Sequence, residues 1–246
     1  MHSAIAQDML AHLSAVDAQR QLRNAELGLN ARVQRLKLYQ QQRFSRTYAD
    51  LLNTPRYEKA TQFFLQELYG PGDFSRRDAQ FARVVPALVR IFPAEVVATV
   101  AKLARLHAIS ELMDTRMAQQ LGASPLTANN YIAAWQACGE ALQRQLQIEL
   151  TIAVGASLEQ LTRKPLLRQA LRLMRGPATA AGMSELQRFL ETGFDTFREM
   201  RGATEFLQVV RQREEALAEA LFKPDAAALL RQSACPAGDD PLGQLP

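Results

Sequence analysis

The chain of 246 residues is poor in cysteine. Its two, Cys138 and Cys235, form no C-x-x-C pair, which excludes a disulfide framework and a thiolate metal knuckle and fits a reducing compartment. Histidine is scarce as well, with three residues and no Glu-x-x-His pattern, so a paired-helix metal centre of the carboxylate–histidine type is not spelled out. No apolar run approaches the roughly 20 residues needed to cross a bilayer. The opening stretch MHSAIAQDMLAHLSAVDAQRQ is interrupted by Asp8 and Asp17 and lacks the basic start and unbroken apolar core of a signal peptide. The expectation is a cytoplasmic chain without a membrane span. The net charge is +4, from an arginine excess weighted toward the first ninety residues, yet no block of five or six like charges occurs. Nucleic-acid binding is therefore not expected. Also missing are a G-x-S-x-G nucleophile turn and a phosphate-cradling loop, because GPGDFS at 70–75 has no P-loop lysine.

Alternating runs of valine, isoleucine and threonine are few, while Ala, Leu, Gln, Arg and Glu dominate. These are strong helix formers, and the chain reads as all-α: a single bundle of seven or eight helices with a long N-terminal helix. That first helix is expected over 18–52, where Leu22, Ala25, Leu29, Val33, Leu36, Phe44, Tyr48 and Leu51 recur on one face. Gly28 is the place for it to bend or break. Pro55 should open a second helix ending at Tyr69, and Ser75 and Asp78 have capping-box spacing for a third, shortened or bent by Pro86. A central helix follows Pro93 and closes at Gly122, and Thr127 caps a fifth over 128–154, with breaks at Gly155 and Pro165. No Gly-, Ser- or Pro-rich linker divides residues 1–222, so one domain is expected there. From Lys223 to Pro246, proline, glycine and aspartate replace the periodic pattern, and a loosely ordered tail is expected.

The segment PRYEKATQFFLQELYGPGDFSRRD at 55–78 is dense in both aromatic rings and charge. On a helix, Tyr57, Ala60, Phe64 and Leu68 share a face that Phe63 and Leu65 widen, the pattern of a core stripe. Beyond Tyr69, Asp73 and Asp78 flank Phe74, Arg76 and Arg77, a set suited to an ion-pair cluster with Glu67 or Arg56. Phe63, Phe64, Leu65, Glu67, Leu68, Tyr69, Asp73, Phe74, Arg77 and Asp78 thus form the candidate motif, structural or partner-binding. FFLQELY at 63–69, RTYADLL before it and DFSRRDAQFARVVPALVRIFP after it resemble the bacterial family of FFLEELY motif proteins, with Gln66 where the family has Glu. LHAISELMD at 106–114 and GPATAAGMSELQRFLETGF at 176–194 extend the resemblance over residues 40–215. It implies no particular activity, ligand or catalytic residue.

His107, Glu111 and Asp114 lie at i, i+4 and i+7 and share a helix face. A second helix with matching ligands would be needed to complete a metal pair, and none is evident. Leu186, Phe189, Leu190, Phe194, Phe197 and Met200 make a broad stripe, read as core before groove. Cys138 follows YIAAW within a helix, a setting for a small buried hydrophobe more than a nucleophile. No catalytic set, metal or cofactor is expected. The leading expectation is a helical protein that binds or regulates another protein, with 18–52 as a homodimer element. The competing expectation is a sensor or carrier holding haem or an apolar ligand between helices near His107.

Overall fold

Helix-forming composition and glycine and proline punctuation set the segments of the computed structural model, which describes residues 2–68, 70, 72–232 and 240–246. The fold is all-α, with no strand among the described residues. Helix α1 spans His2–Ala25 and α2 spans Leu29–Thr47. They are separated at Gly28, whose φ of 77° is in the left-handed region, where a Cβ is disfavoured. The helix expected over 18–52 is therefore broken, and its first segment begins well before residue 18. A single turn, α3 (Ala49–Leu52), leads to α4 (Glu58–Phe63), with Pro55 in the turn before it and not at its first position. From Phe64 to Leu68 the chain winds as a π-helix.

Helix α5 (Ser75–Ile91) passes through Pro86 without stopping. Helix α6 (Ala94–Leu121) begins after Pro93 and ends at Gly122, as the sequence pattern predicts. Thr127 caps α7 (Ala128–Cys138), its hydroxyl accepting from the Asn130 N–H at 3.3 Å. The helix expected over 128–154 is divided at Gly139 and Glu140, both at φ 63°, and resumes as α8 (Ala141–Thr162). Gly155 does not break α8. It is a point where α12 packs closely on α8, since a Cβ there would stand 2.5 Å from a Leu207 methyl. The chain continues through α9 (Pro165–Leu173), α10 (Arg175–Ala180), α11 (Ser184–Glu199), α12 (Thr204–Phe222) and α13 (Ala226–Leu230). The bundle thus has more segments than the seven or eight expected.

Helix α6 is central, packing on α1, α2, α7 and α8. One apolar cluster joins Met9 and Leu13 of α1 to Val85 and Val89 of α5 and Val97 of α6. A second gathers Phe44, Tyr48, Phe63, Phe64, Phe197 and Phe206. The third joins α2 to α7 and α12 through Leu29, Val33, Trp135 and Leu221, and it includes Leu242 and Leu245. The C-terminal end thus departs from the loose tail expected: Leu242 and Leu245 are buried, and Arg46 donates to the Leu245 carbonyl at 2.7 Å. Two leucines in a segment without helical periodicity are enough to anchor it once a cleft between α2 and α12 receives them. No helix among the described residues is long and apolar enough to cross a membrane.

Candidate functional site

Most of the stripe expected to form a dimer seam is consumed inside the chain, although its first two positions, Leu22 and Ala25, are exposed. Leu29, Val33, Leu36, Phe44, Tyr48 and Leu51 are all buried. The aromatic motif is likewise interior: Phe63 stacks on Phe189 with centroids 5.6 Å apart, and Phe64 meets Phe197 and Phe206 at 6.2 and 5.7 Å. Leu65 is buried, and its carbonyl accepts from Gln41 at 3.0 Å, which satisfies a backbone group in the irregular π-turn. Leu68 closes that turn, and Tyr69 lies outside the described residues. Of the stripe on α11, Leu186, Phe194, Phe197 and Met200 are buried core.

The charged half of the motif divides. Arg77 sits between two rings, its guanidinium 4.1 Å from the Phe74 centroid and 4.4 Å from that of Phe189, and it donates to Glu67 at 3.3 Å. Asp73 accepts from the Ser75 N–H at 2.9 Å, so the turn before α5 is held by Asp73 and not by the Ser75–Asp78 box. Arg56 reaches the Met200 and Gly202 carbonyls instead of this cluster. Asp78 points inward, where it accepts from Arg20 of α1 and lies 2.8 Å from His107 Nε2. Burial alone would raise the Asp78 carboxyl; His107 and Arg20 outweigh it and hold it below its ordinary value.

His107, Glu111 and Asp114 do share one face of α6, but that face meets cations. Arg23 donates to Glu111 Oε2 and to the Glu111 carbonyl, both at 2.5 Å, and to the Thr115 hydroxyl at 2.9 Å. Lys37 donates to the other Glu111 oxygen at 2.5 Å. Burial opposes the charge on Glu111, yet Lys37 and Arg23 bring its carboxyl down to about 2. Asp114 is 4.0 Å from Lys37 and accepts from Gln40 at 3.2 Å. Here burial wins and the carboxyl is raised. No group of three His, Cys, Asp or Glu side chains suited to a metal ion occurs among the described residues.

The ionic layer continues along α2. Arg43 donates to Glu214 of α12 at 2.5 Å, and Tyr48 donates to the same oxygen at 2.7 Å. Across from it, Arg144 of α8 lies over the Trp135 ring at 4.0 Å and donates to Gln147 at 3.2 Å. Sequence reasoning passed over Arg20 and Arg23 (i, i+3), Lys37, Gln40 and Arg43 (i, i+3, i+6), and Arg144 and Gln147 (i, i+3). The available signal was this repeated polar spacing beside an apolar stripe, which puts charge on the inner half of each helix.

Between these groups lies a mostly enclosed cavity of about 160 Å³. Its lining combines ionic and polar side chains, among them Lys37, Arg43, Asp78, His107 and Asp114, with apolar ones such as Leu88, Leu103, Ile148, Leu190 and Leu217. Cys138 is no candidate nucleophile, since burial pushes its thiol up, the reverse of activation. Cys235 lies outside the described residues. Haem does not fit: His107 Nε2 is engaged by Asp78, and a cavity of this size is close to one that benzene fills, far below a porphyrin.

A model of a domain family described as a domain of unknown function (DUF8198) matches residues 19–228. No curated protein and no solved structure matches the chain.

Proposed function

The chain belongs to the DUF8198 domain family, and from that premise we propose that it is a cytoplasmic sensor or carrier that holds a small molecule inside the helical bundle. The observation that supports this reading is the cavity of about 160 Å³ beside α6. Protein interiors are close-packed, with few voids larger than a water molecule. At about 24 cal/mol per Å³, a void of 160 Å³ left empty costs on the order of 4 kcal/mol, a sizeable part of the stability of an ordinary domain. A ligand with apolar surface recovers that energy, and the polar groups of the lining give it orientation. Helices α2, α5, α6, α7, α8, α11 and α12 supply the wall, so occupancy would be transmitted to the way these helices pack together.

Native mass spectrometry of the protein purified from its own host tests the reading. A non-covalent mass of small-molecule size, lost on denaturation, is expected. Bare protein, together with no change in melting temperature over a panel of small apolar compounds, would refute it.

A second reading, a protein that acts by binding another protein, is supported by α9. Leu166 and Leu173 on that helix are 75% and 78% exposed, an apolar edge that the described residues leave uncovered. In this reading, charge substitution of both leucines abolishes partner capture and leaves the melting temperature unchanged.

A further inference from the structure

Buried polar groups are almost always hydrogen-bonded, and each exception calls for an explanation. Two exceptions line the cavity: Arg43 Nε and Trp135 Nε1 are buried N–H groups with no hydrogen-bond partner, on residues only 6% and 8% exposed. Both can only donate. Among the described residues, no side-chain oxygen of the lining is buried without a partner. What the cavity lacks is therefore an acceptor.

The charge of the lining narrows the kind of acceptor. Five carboxylates and four Lys or Arg side chains line the cavity, and most are matched in place: Lys37 with Glu111, Arg43 with Glu214, Arg77 with Glu67 and His107 with Asp78. The fifth carboxylate, Asp114, is held toward its neutral form by burial. Such a lining is close to neutral, and a charged guest would leave water to meet charges already engaged. A neutral guest avoids that cost. A hydroxyl or amine would also bring a donor, whose partner would have to be taken from an existing pair, whereas a carbonyl oxygen brings lone pairs and no donor. Ile148, Leu190 and Leu217 offer apolar surface to the rest of the guest. The volume of about 160 Å³ is close to one that a six-membered carbon ring fills.

We infer that the cavity takes a small neutral carbonyl compound, a ketone or lactone with a compact hydrocarbon body, its oxygen accepting from the Trp135 indole N–H. This rests on the small-molecule reading above and names the chemistry of the occupant.

Trp135 is the only tryptophan, so its indole N–H gives one cross-peak in a proton–nitrogen correlation spectrum of the full chain. The probes are cyclohexanone and methylenecyclohexane, which share a shape and differ in C=O against C=CH₂. Cyclohexanone is expected to bind saturably and to move the indole proton downfield, as hydrogen bonding does; methylenecyclohexane is expected to bind without that shift. Binding of methylenecyclohexane alone, or of cyclohexanone without the downfield shift, would overturn the inference and leave the cavity reading intact. Binding of neither would overturn both. Cyclohexanecarboxylate and cyclohexylamine, both charged at neutral pH, should bind at least about tenfold more weakly than cyclohexanone; equal binding of either would overturn the neutral assignment. In Trp135→Phe, which keeps an aromatic ring and removes the N–H, the affinity for cyclohexanone relative to methylenecyclohexane should fall at least about fivefold. An unchanged ratio in that variant would overturn the assignment of the indole N–H.

Discussion

Phe64 is 2% exposed and touches Phe197 and Phe206 from two helices far along the chain. Its truncation removes both ring contacts and leaves a cavity that the surrounding aromatics cannot close, so Phe64→Ala should cost about 3–5 kcal/mol. Thermal unfolding of the purified variant checks it, and an unchanged midpoint would mean that Phe64 does not carry the packing of this cluster. Helical spacing was enough to assign Phe64 to a core face, because an aromatic at that position has few alternatives to burial. Asp78 was not legible in the same way. Its distance from Ser75 fits a helix start, but the side chain turns to Arg20 and His107, groups separated from it by 58 and 29 positions. Local spacing holds no information about them.

At the scale of elements, boundaries follow local chemistry where one residue decides them. Pro93, Gly122 and Thr127 start, stop and cap α6 and α7 as predicted, since each acts through its own backbone or through an N–H three residues on. Gly155 shows the other case. Glycine weakens a helix in isolation, yet here it sits within α8 because α12 packs over it. A methyl group at 155 would meet the Leu207 methyl at 2.5 Å and force the two helices apart or Leu207 from its rotamer. Gly155→Ala is expected to destabilise the protein by about 1–3 kcal/mol despite alanine's better helix propensity, as read from the urea midpoint. A stabilised variant would show that α8 and α12 adjust freely at this contact.

For the whole molecule, the buried ionic layer ties stability to pH. Glu111 is held down to about 2 from 4.5, so the unfolded chain binds the proton first. Its contribution is present above about 4.5 and is lost as pH falls toward 2; two and a half units correspond to on the order of 3 kcal/mol. Asp78, also lowered, acts in the same direction below its ordinary value. Asp114 is raised and acts oppositely, gaining stability as pH falls through its folded value toward 3.8. With two groups against one, urea midpoints should fall below pH 4.5. Glu111→Gln leaves Arg23 and Lys37 buried without that carboxylate and should cost about 3–5 kcal/mol at pH 7, with a smaller deficit at pH 3. A constant deficit across that range would separate the cost from the charge of Glu111.

The sequence by itself determined the helical class, the central helix with its ends, the burial of the 57–68 aromatics and the shared face of His107, Glu111 and Asp114. All of these depend on composition, on a period of 3.6 residues or on caps that act within a few positions. Tertiary structure alone decided what that face meets. Arg20, Arg23, Lys37 and Arg144 come to it from three other helices, and although polar spacing places charge on the inner half of a helix, it does not say which distant carboxylate that charge meets. The same holds for the cavity, which is a property of how α2, α5, α8, α11 and α12 are spaced around α6. Two leucines near the C-terminus could likewise find their place only after α2 and α12 had formed the cleft that buries them.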